Sequence, residues 1–500
     1  MATTVTAAET WKAKADNLTY RAEAFIDGEF RPALSGVTFP CMSPVAGQRL
    51  ADVAECRSED VDRAVVSARR AFEDGVWSEA SPATRRRVLL SLARLMEEHK
   101  DELALLITVD MGKPISYSLR EVDSAIACIE FYGEAIDKVF GEIAPTDVSA
   151  LALVSREPIG VVAAVIPWNY PLLMPAWKLG PALATGNAVV VKPAEQSPLV
   201  ALKIAELALE AGVPAGVLNV LPGFGETAGA ALGLHPGVDS VTFTGSTQVG
   251  RLFLKYAGDS NMKSVSLETG GKSPVIVFQD TSDLDFVAES IVNGIFINQG
   301  EMCNACSRVI VDNRIREAFL ERVVTKAAEW SPNDPFDPAT RMGALVDETQ
   351  LKTVLSYIEV GKQEGARLRL GGAQVLENTG GYYVEPTVFD DVSNDMRIAQ
   401  EEIFGPVLSV IGFQDPADAV TLANDSMYGL AAAVWTRDVT KAHKVARALR
   451  AGNVYVNCYN EDNMSCPFGG YKQSGIGRDK SLHAMEKYTQ LKMTWINLDR

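Results

Sequence analysis

The sequence predicts an α/β fold: a doubly wound, parallel-sheet nucleotide-binding domain, a second α/β domain and a small β arm. Three observations carry this expectation. Short, almost wholly apolar β-rich runs alternate with helical stretches from about residue 159, and a second such series begins after Pro274. Two strand-like pieces, at 141–158 and near the C-terminus, stand outside both series. The 500 residues also exceed what one hydrophobic core usually serves.

Taken in order, residues 60–110 place apolar side chains at helical spacing in VDRAVVSARRAFED and RRRVLLSLARLMEEHKDELALLI. The basic run RRRV at 85–88 reads as a solvated helix face. From 159 the pairs are GVVAAVI with PLLMPAWKLGPALATG, NAVVVK with PLVALKIAELALEAG, GVLNVL with ETAGAALGL, and SVTFTG with TQVGRLFLKYA. Strands that are apolar throughout are buried on both faces, which is the signature of a parallel sheet covered by helices. After Pro274 follow VIVF, a helix through LDFVAESIVNGIF, the strand SRVIVD and the helix REAFLERVVTKAAEW, and this series ends near AGNVYVN at 451–457. The glycine-rich PFGGYKQSGIGR resists regular structure. The tail KYTQLKMTWINL and the interrupting GEIAPTDVSALALVSREP alternate like exposed strands, so they predict an arm that pairs with a partner subunit or lies on its own domain.

Composition excludes several classes. With 47% apolar and 22% charged residues the chain is globular, and its net charge of −17 repels nucleic acid and anionic membranes. The leading stretch has no apolar segment of signal-peptide length, and IGVVAAVIPW at 159–168 is too short to span a bilayer. Seven scattered cysteines suit reduced thiols, so a cytoplasmic enzyme is expected.

Two stretches carry chemistry. TFTGSTQVG at 242–250 puts Gly245 in a strand-to-helix turn and Gly250 in the helix, and such a turn presents bare N–H groups and the positive helix end to a pyrophosphate. In VVKPAEQSP, Lys192 and Glu195 stand at the carboxyl edge of the sheet, where an acid accepts ribose hydroxyls and repels a 2′-phosphate. That favours NAD over NADP. NQGEMCNACSR at 298–308 sets Cys303 and Cys306 three apart. Zinc needs further ligands, yet none of the four histidines stands in a ligand spacing, so no metal is expected. A redox CxxC opens a helix after the first strand of a βαβ unit, whereas this one follows a long helical run and precedes a strand. A Cys–His hydrolase stays open at this point, but no serine-hydrolase elbow is present.

NQGEMCNACSR together with SLETGGKSP at 266–274 resembles the NAD(P)-dependent aldehyde dehydrogenases, and the aminoaldehyde enzymes of bacteria in particular. IPWNYP at 166–171, KPAEQSP, FTGSTQVG, EEIFGPV at 401–407 and PFGGYKQSGIGRD extend the likeness over nearly the whole chain. The resemblance implies an NAD-binding domain over 1–140 and 159–270, a catalytic domain over 271–470, and an oligomerisation arm from 141–158 and 486–500, in a homotetramer or homodimer. It makes Cys303 the nucleophile, Asn169 the oxyanion-stabilising amide and Glu268 the general base. It places Ile166, Trp168, Lys192, Glu195, Gly225, Gly245 and Ser246 at the cofactor, with Glu402 and Phe404 at its nicotinamide ribose and ring. Thr269, where the family often has leucine, is a small departure. Cys306 matches no catalytic position and is at most able to trap Cys303 as a disulfide.

This cast is chemically coherent. A thiolate captures the aldehyde, the resulting oxyanion needs fixed donors, and hydrolysis of the later thioester needs a carboxylate to deprotonate water. The C-terminal run resembles enzymes of γ-aminobutyraldehyde-type substrates, so Glu461 and Asp462 are expected to attract a cationic or polar ω-group. Tyr170 and Trp177 are expected to wall the tunnel, and Phe468 is expected at the substrate. Aromatic or indole acetaldehydes are the alternative substrates. A non-catalytic binding protein on the same fold is the alternative class.

Overall fold

The computed structural model describes residues 6–499, so the first five residues of the leading stretch and the last residue of the predicted arm lie outside the described residues. The first sheet is built around five parallel strands: β1 (Val161–Val165), β2 (Ala188–Lys192), β3 (Leu218–Val220), β4 (Ser240–Thr244) and β5 (Ser264–Glu268). Their order across the sheet is β3-β2-β1-β4-β5, so the chain winds outward in both directions from β1. The crevice between the ends of β1 and β4 is therefore the topological switch point, where such sheets bind ligands. Every residue of β1, β2 and β4 is buried, as their unbroken apolar character predicts. Helices cover both faces, among them α1 (Ile115–Ala135), α2 (Leu173–Ala184), α3 (Leu199–Ala211) and α4 (Thr247–Gly258). A hairpin, Ala24–Ile26 with Glu29–Arg31, extends the sheet beyond β3.

The second sheet has seven strands, with Pro274–Val277 and Arg308–Asp312 at its centre, paired in parallel. Helix α5 (Leu284–Phe296) crosses between these two strands and delivers the chain to the cysteine segment. Separate apolar clusters fill the two faces of this sheet.

The two strand-like pieces pair with each other. Glu142–Ala144, Ala150–Pro158 and Thr489–Asn497 form a three-stranded antiparallel sheet with Leu491, Met493 and Trp495 exposed.

Three local expectations change. The helical run over 85–107 is two helices, Pro82–Glu98 and Lys100–Met111, with the chain leaving helical geometry at His99. PFGGYKQSGIGR is not wholly irregular, because Gly475–Ile476 pairs antiparallel with β5 and rejoins the first sheet. In RRRV, Arg86 and Arg87 are exposed, but Arg85 turns inward and donates to the Ala80 and Ala184 carbonyls.

Candidate active site

A cavity of about 430 Å³ opens where the carboxyl edge of the first sheet faces the second α/β series. Three segments bring Asn169, Glu268 and Cys303 to it. Asn169 lies in the IPWNYP loop between β1 and α2, and Glu268 is the last residue of β5. Cys303 arrives from the second α/β series through a tight turn after α5. Asn298, Gln299 and Gly300 of that turn all have left-handed backbones, with φ of 53°, 57° and 74°.

Three close approaches explain glycines at the site. A Cβ on Gly300 would lie 2.3 Å from the Gly405 carbonyl oxygen. In SLETGGKSP, a Cβ on Gly270 would collide with the Glu402 carboxylate and one on Gly271 with the Cys303 carbonyl. These glycines let three segments meet at one point.

The Cys303 thiol is pushed up to about 12 by burial, with the Glu402 and Glu268 carboxylates adding to it. Neither oxygen of Glu268 has a hydrogen-bond partner among the described residues, and a Cβ on Gly469 would lie 2.7 Å from its Oε1. Burial, then the nearby Asp479 charge, holds the Glu268 carboxyl well above the usual range. A buried acid with unengaged oxygens is suited to take a proton from water. The Asn169 amide donates to the Glu301 carbonyl at 2.8 Å, which orients it and leaves its second N–H available. The Cys303 N–H has no backbone carbonyl partner among the described residues. Two donors are thus available to one oxyanion.

The cofactor set is spread along the strand ends. Gly245 and Ser246 stand at the N-terminus of α4, where the Ser246 hydroxyl accepts the Val249 N–H. Thr244 Oγ1 beside them is buried without a partner. Glu402 accepts the Gly271 N–H at 2.9 Å, and its carboxyl is pushed up to about 7 by burial. The Phe404 ring meets Trp168 edge-on at 5.2 Å. All of these line the cavity, whereas Ile166, Lys192, Glu195 and Gly225 lie outside it, along the neighbouring strand ends. Lys192 Nζ contacts Glu195 at 3.0 Å, so the acid read as a ribose acceptor is already partly neutralised. An orphaned hydroxyl, a helix N-terminus and carboxylates at the sheet edge fit a dinucleotide.

Of the predicted substrate residues, Tyr170, Trp177, Phe468 and Asp462 line the cavity, and the Trp177 and Phe468 rings pack 5.2 Å apart. Glu461 does not line it and is exposed. The Asp462 carboxylate is engaged by Lys480, so the expected attraction for a cationic ω-group is largely spent within the protein. Arg120 also lines the cavity and has no carboxylate partner among the described residues.

Cys306 is unrelated to the cavity. Its thiol donates to the Ile291 carbonyl at 3.2 Å on the far side of the turn, and both cysteines are free.

Sequence reasoning left Lys113, Glu121, Lys178, Asp479 and Asn298 out of the site, although all are buried around it. Lys178 pairs with Asp479, which also holds Lys487. The available signal was a lysine inside the otherwise apolar LLMPAWKLGPALA, since buried cations are rare unless paired.

The chain is similar along nearly its whole length to known proteins. An aminoacetaldehyde dehydrogenase of Pseudomonas aeruginosa is 52% identical, with 98% of each chain covered. The indole-3-acetaldehyde dehydrogenase of P. syringae, solved with NAD+ and IAA, superposes with a TM-score of 0.98 at 57% identity, covering 99% of this chain and 100% of that one. A γ-glutamyl-γ-aminobutyraldehyde dehydrogenase from Burkholderia cenocepacia superposes with a TM-score of 0.97 at 56% identity, covering 98% and 99%. Residues 30–494 match the pattern of the aldehyde dehydrogenase family, and the chain belongs to it.

Proposed function

We propose that the chain oxidises an aldehyde to its carboxylate with NAD, using Cys303 as nucleophile, Asn169 as oxyanion donor and Glu268 as base. The observation that carries the reading is the convergence of a half-buried thiol, an oriented amide and an unengaged buried carboxyl in one cavity at the sheet's switch point. Cys303 passes its proton to solvent water and attacks the carbonyl carbon, and the tetrahedral oxyanion is held by the Asn169 amide and the Cys303 N–H. NAD held at the α4 N-terminus and beside Glu402 and Phe404 would supply the acceptor for the hydride that leaves the adduct carbon, and the thioester on Cys303 is what remains. Glu268 then deprotonates a water, which cleaves the thioester and frees the Cys303 thiol.

The substrate is an ω-amino-type aldehyde of the γ-aminobutyraldehyde kind, supported by the two amino-type substrates in the names of the relatives. Indole acetaldehyde is the second reading, and the aromatic walls Tyr170, Trp177 and Phe468 favour it. A panel of ω-amino, N-acylamino, aromatic and aliphatic aldehydes, run with NAD and with NADP, separates these readings. The highest kcat/KM is expected with an ω-amino or N-acylamino aldehyde and NAD; a highest value with the aromatic aldehyde, or uniform turnover across the panel, would remove the substrate reading.

The exposed apolar side chains of the three-stranded sheet support an arm that pairs subunits of a cytoplasmic homodimer or homotetramer. Trp495→Asp is expected to lower the mass seen in sedimentation. A variant that keeps its parent's mass speaks against the arm.

A further inference from the structure

Lys113 and Glu121 are buried against the loop that carries Asn169, and neither has a place in the chemistry above. Lys113 lies just before α1 and Glu121 lies within it. Lys113 Nζ pairs with Glu121 Oε2, donates to the Asn169 carbonyl at 3.1 Å and sits 3.7 Å from the centre of the Tyr170 ring. The other Glu121 oxygen accepts the N–H groups of Leu172 and Leu173 at 3.0 and 3.1 Å. These N–H groups open α2, which has no side-chain cap of its own. Asn298 adds a second grip, donating to the Asn169 and Glu301 carbonyls at 3.2 Å each. The backbone that follows the Asn169 side chain is thus tied to one ion pair at two points, the Asn169 carbonyl and the first N–H groups of α2.

We propose that the Lys113–Glu121 pair is a positioning device that fixes the Asn169 amide for oxyanion stabilisation and so speeds attack on the aldehyde. The proposal rests on Asn169 being the oxyanion donor. A buried ion pair is a poor source of stability, and geometric precision is what it supplies here. A displacement of about 1 Å at a reacting group costs roughly a hundredfold in rate.

Single replacements leave one charge buried alone, so paired variants are the informative ones. Lys113→Met with Glu121→Gln removes both charges and keeps an acceptor for the α2 N–H groups. Lys113→Gln with Glu121→Gln also restores a donor for the Asn169 carbonyl. Rapid mixing with NAD and a reactive aldehyde reads the rate of the first-turnover NADH burst, and fluorescence titration reads NAD affinity. The expected result for the Met/Gln pair is a burst slowed roughly 10- to 100-fold with NAD affinity unchanged, and partial recovery in the Gln/Gln pair. An unchanged burst in the Met/Gln pair, where Asn169→Ala slows it, overturns the positioning role. A slowed burst accompanied by equally weakened NAD binding also overturns it, because that marks a general structural loss. An unchanged burst in Asn169→Ala refutes the reading of Asn169 itself.

Discussion

Burial raises the Cys303 thiol, and the Glu402 and Glu268 carboxylates raise it further, so the resting site holds this thiol protonated. The sign is definite: a thiol raised above its ordinary range has little thiolate at neutral pH, and that fraction grows tenfold with each pH unit below its pKa. In the protein without cofactor, Cys303 alkylation by iodoacetamide is therefore expected to rise about tenfold per unit through about pH 9. A plateau near neutrality would show a lowered thiol instead. The raised Glu268 carboxyl has the same sense, since it must lose a proton before it acts as a base. Reaction through both groups is favoured by alkaline pH.

At the scale of elements, the left-handed turn Asn298–Gly300 decides whether Cys303 reaches the cavity. Gly300→Ala meets a positive φ and the Gly405 carbonyl at once. It is expected to lose about 1–3 kcal/mol of stability together with most activity. Calorimetry and steady-state rates check this, and a parent-like melting temperature would contradict it. The regular elements were legible because periodicity reports burial: β1, β2 and β4 read as continuous apolar runs and are buried throughout. The break at His99 was not legible, since helical spacing continues through it on both sides. A two-residue strand such as Gly475–Ile476 has no period at all, and only its partner β5 defines it. Two non-glycine residues at positive φ, Asn298 and Gln299, depend on tertiary bonds such as Gln299 to the Ala344 carbonyl.

Across the whole molecule, the site exists only where the two α/β units meet, with Asn169 and Glu268 from the first and Cys303 from the second. Its chemical residues were legible because the motifs around them stand in a recognisable order. Its electrostatics were not, because pairing is three-dimensional. Lys480 neutralises Asp462, Lys192 meets Glu195 and Lys113 meets Glu121. Glu461, an equal candidate beside Asp462 in the sequence, points to solvent instead. The central claim is that a thiol from one unit and a base from the other act in succession on one covalent intermediate. Its most direct test is acid-quenched peptide mass spectrometry of Glu268→Gln after mixing with NAD and a reactive aldehyde. The account predicts one NADH released per subunit and an acyl group accumulating on the peptide that contains Cys303. Parent-like steady turnover with no acyl adduct on that peptide would contradict it.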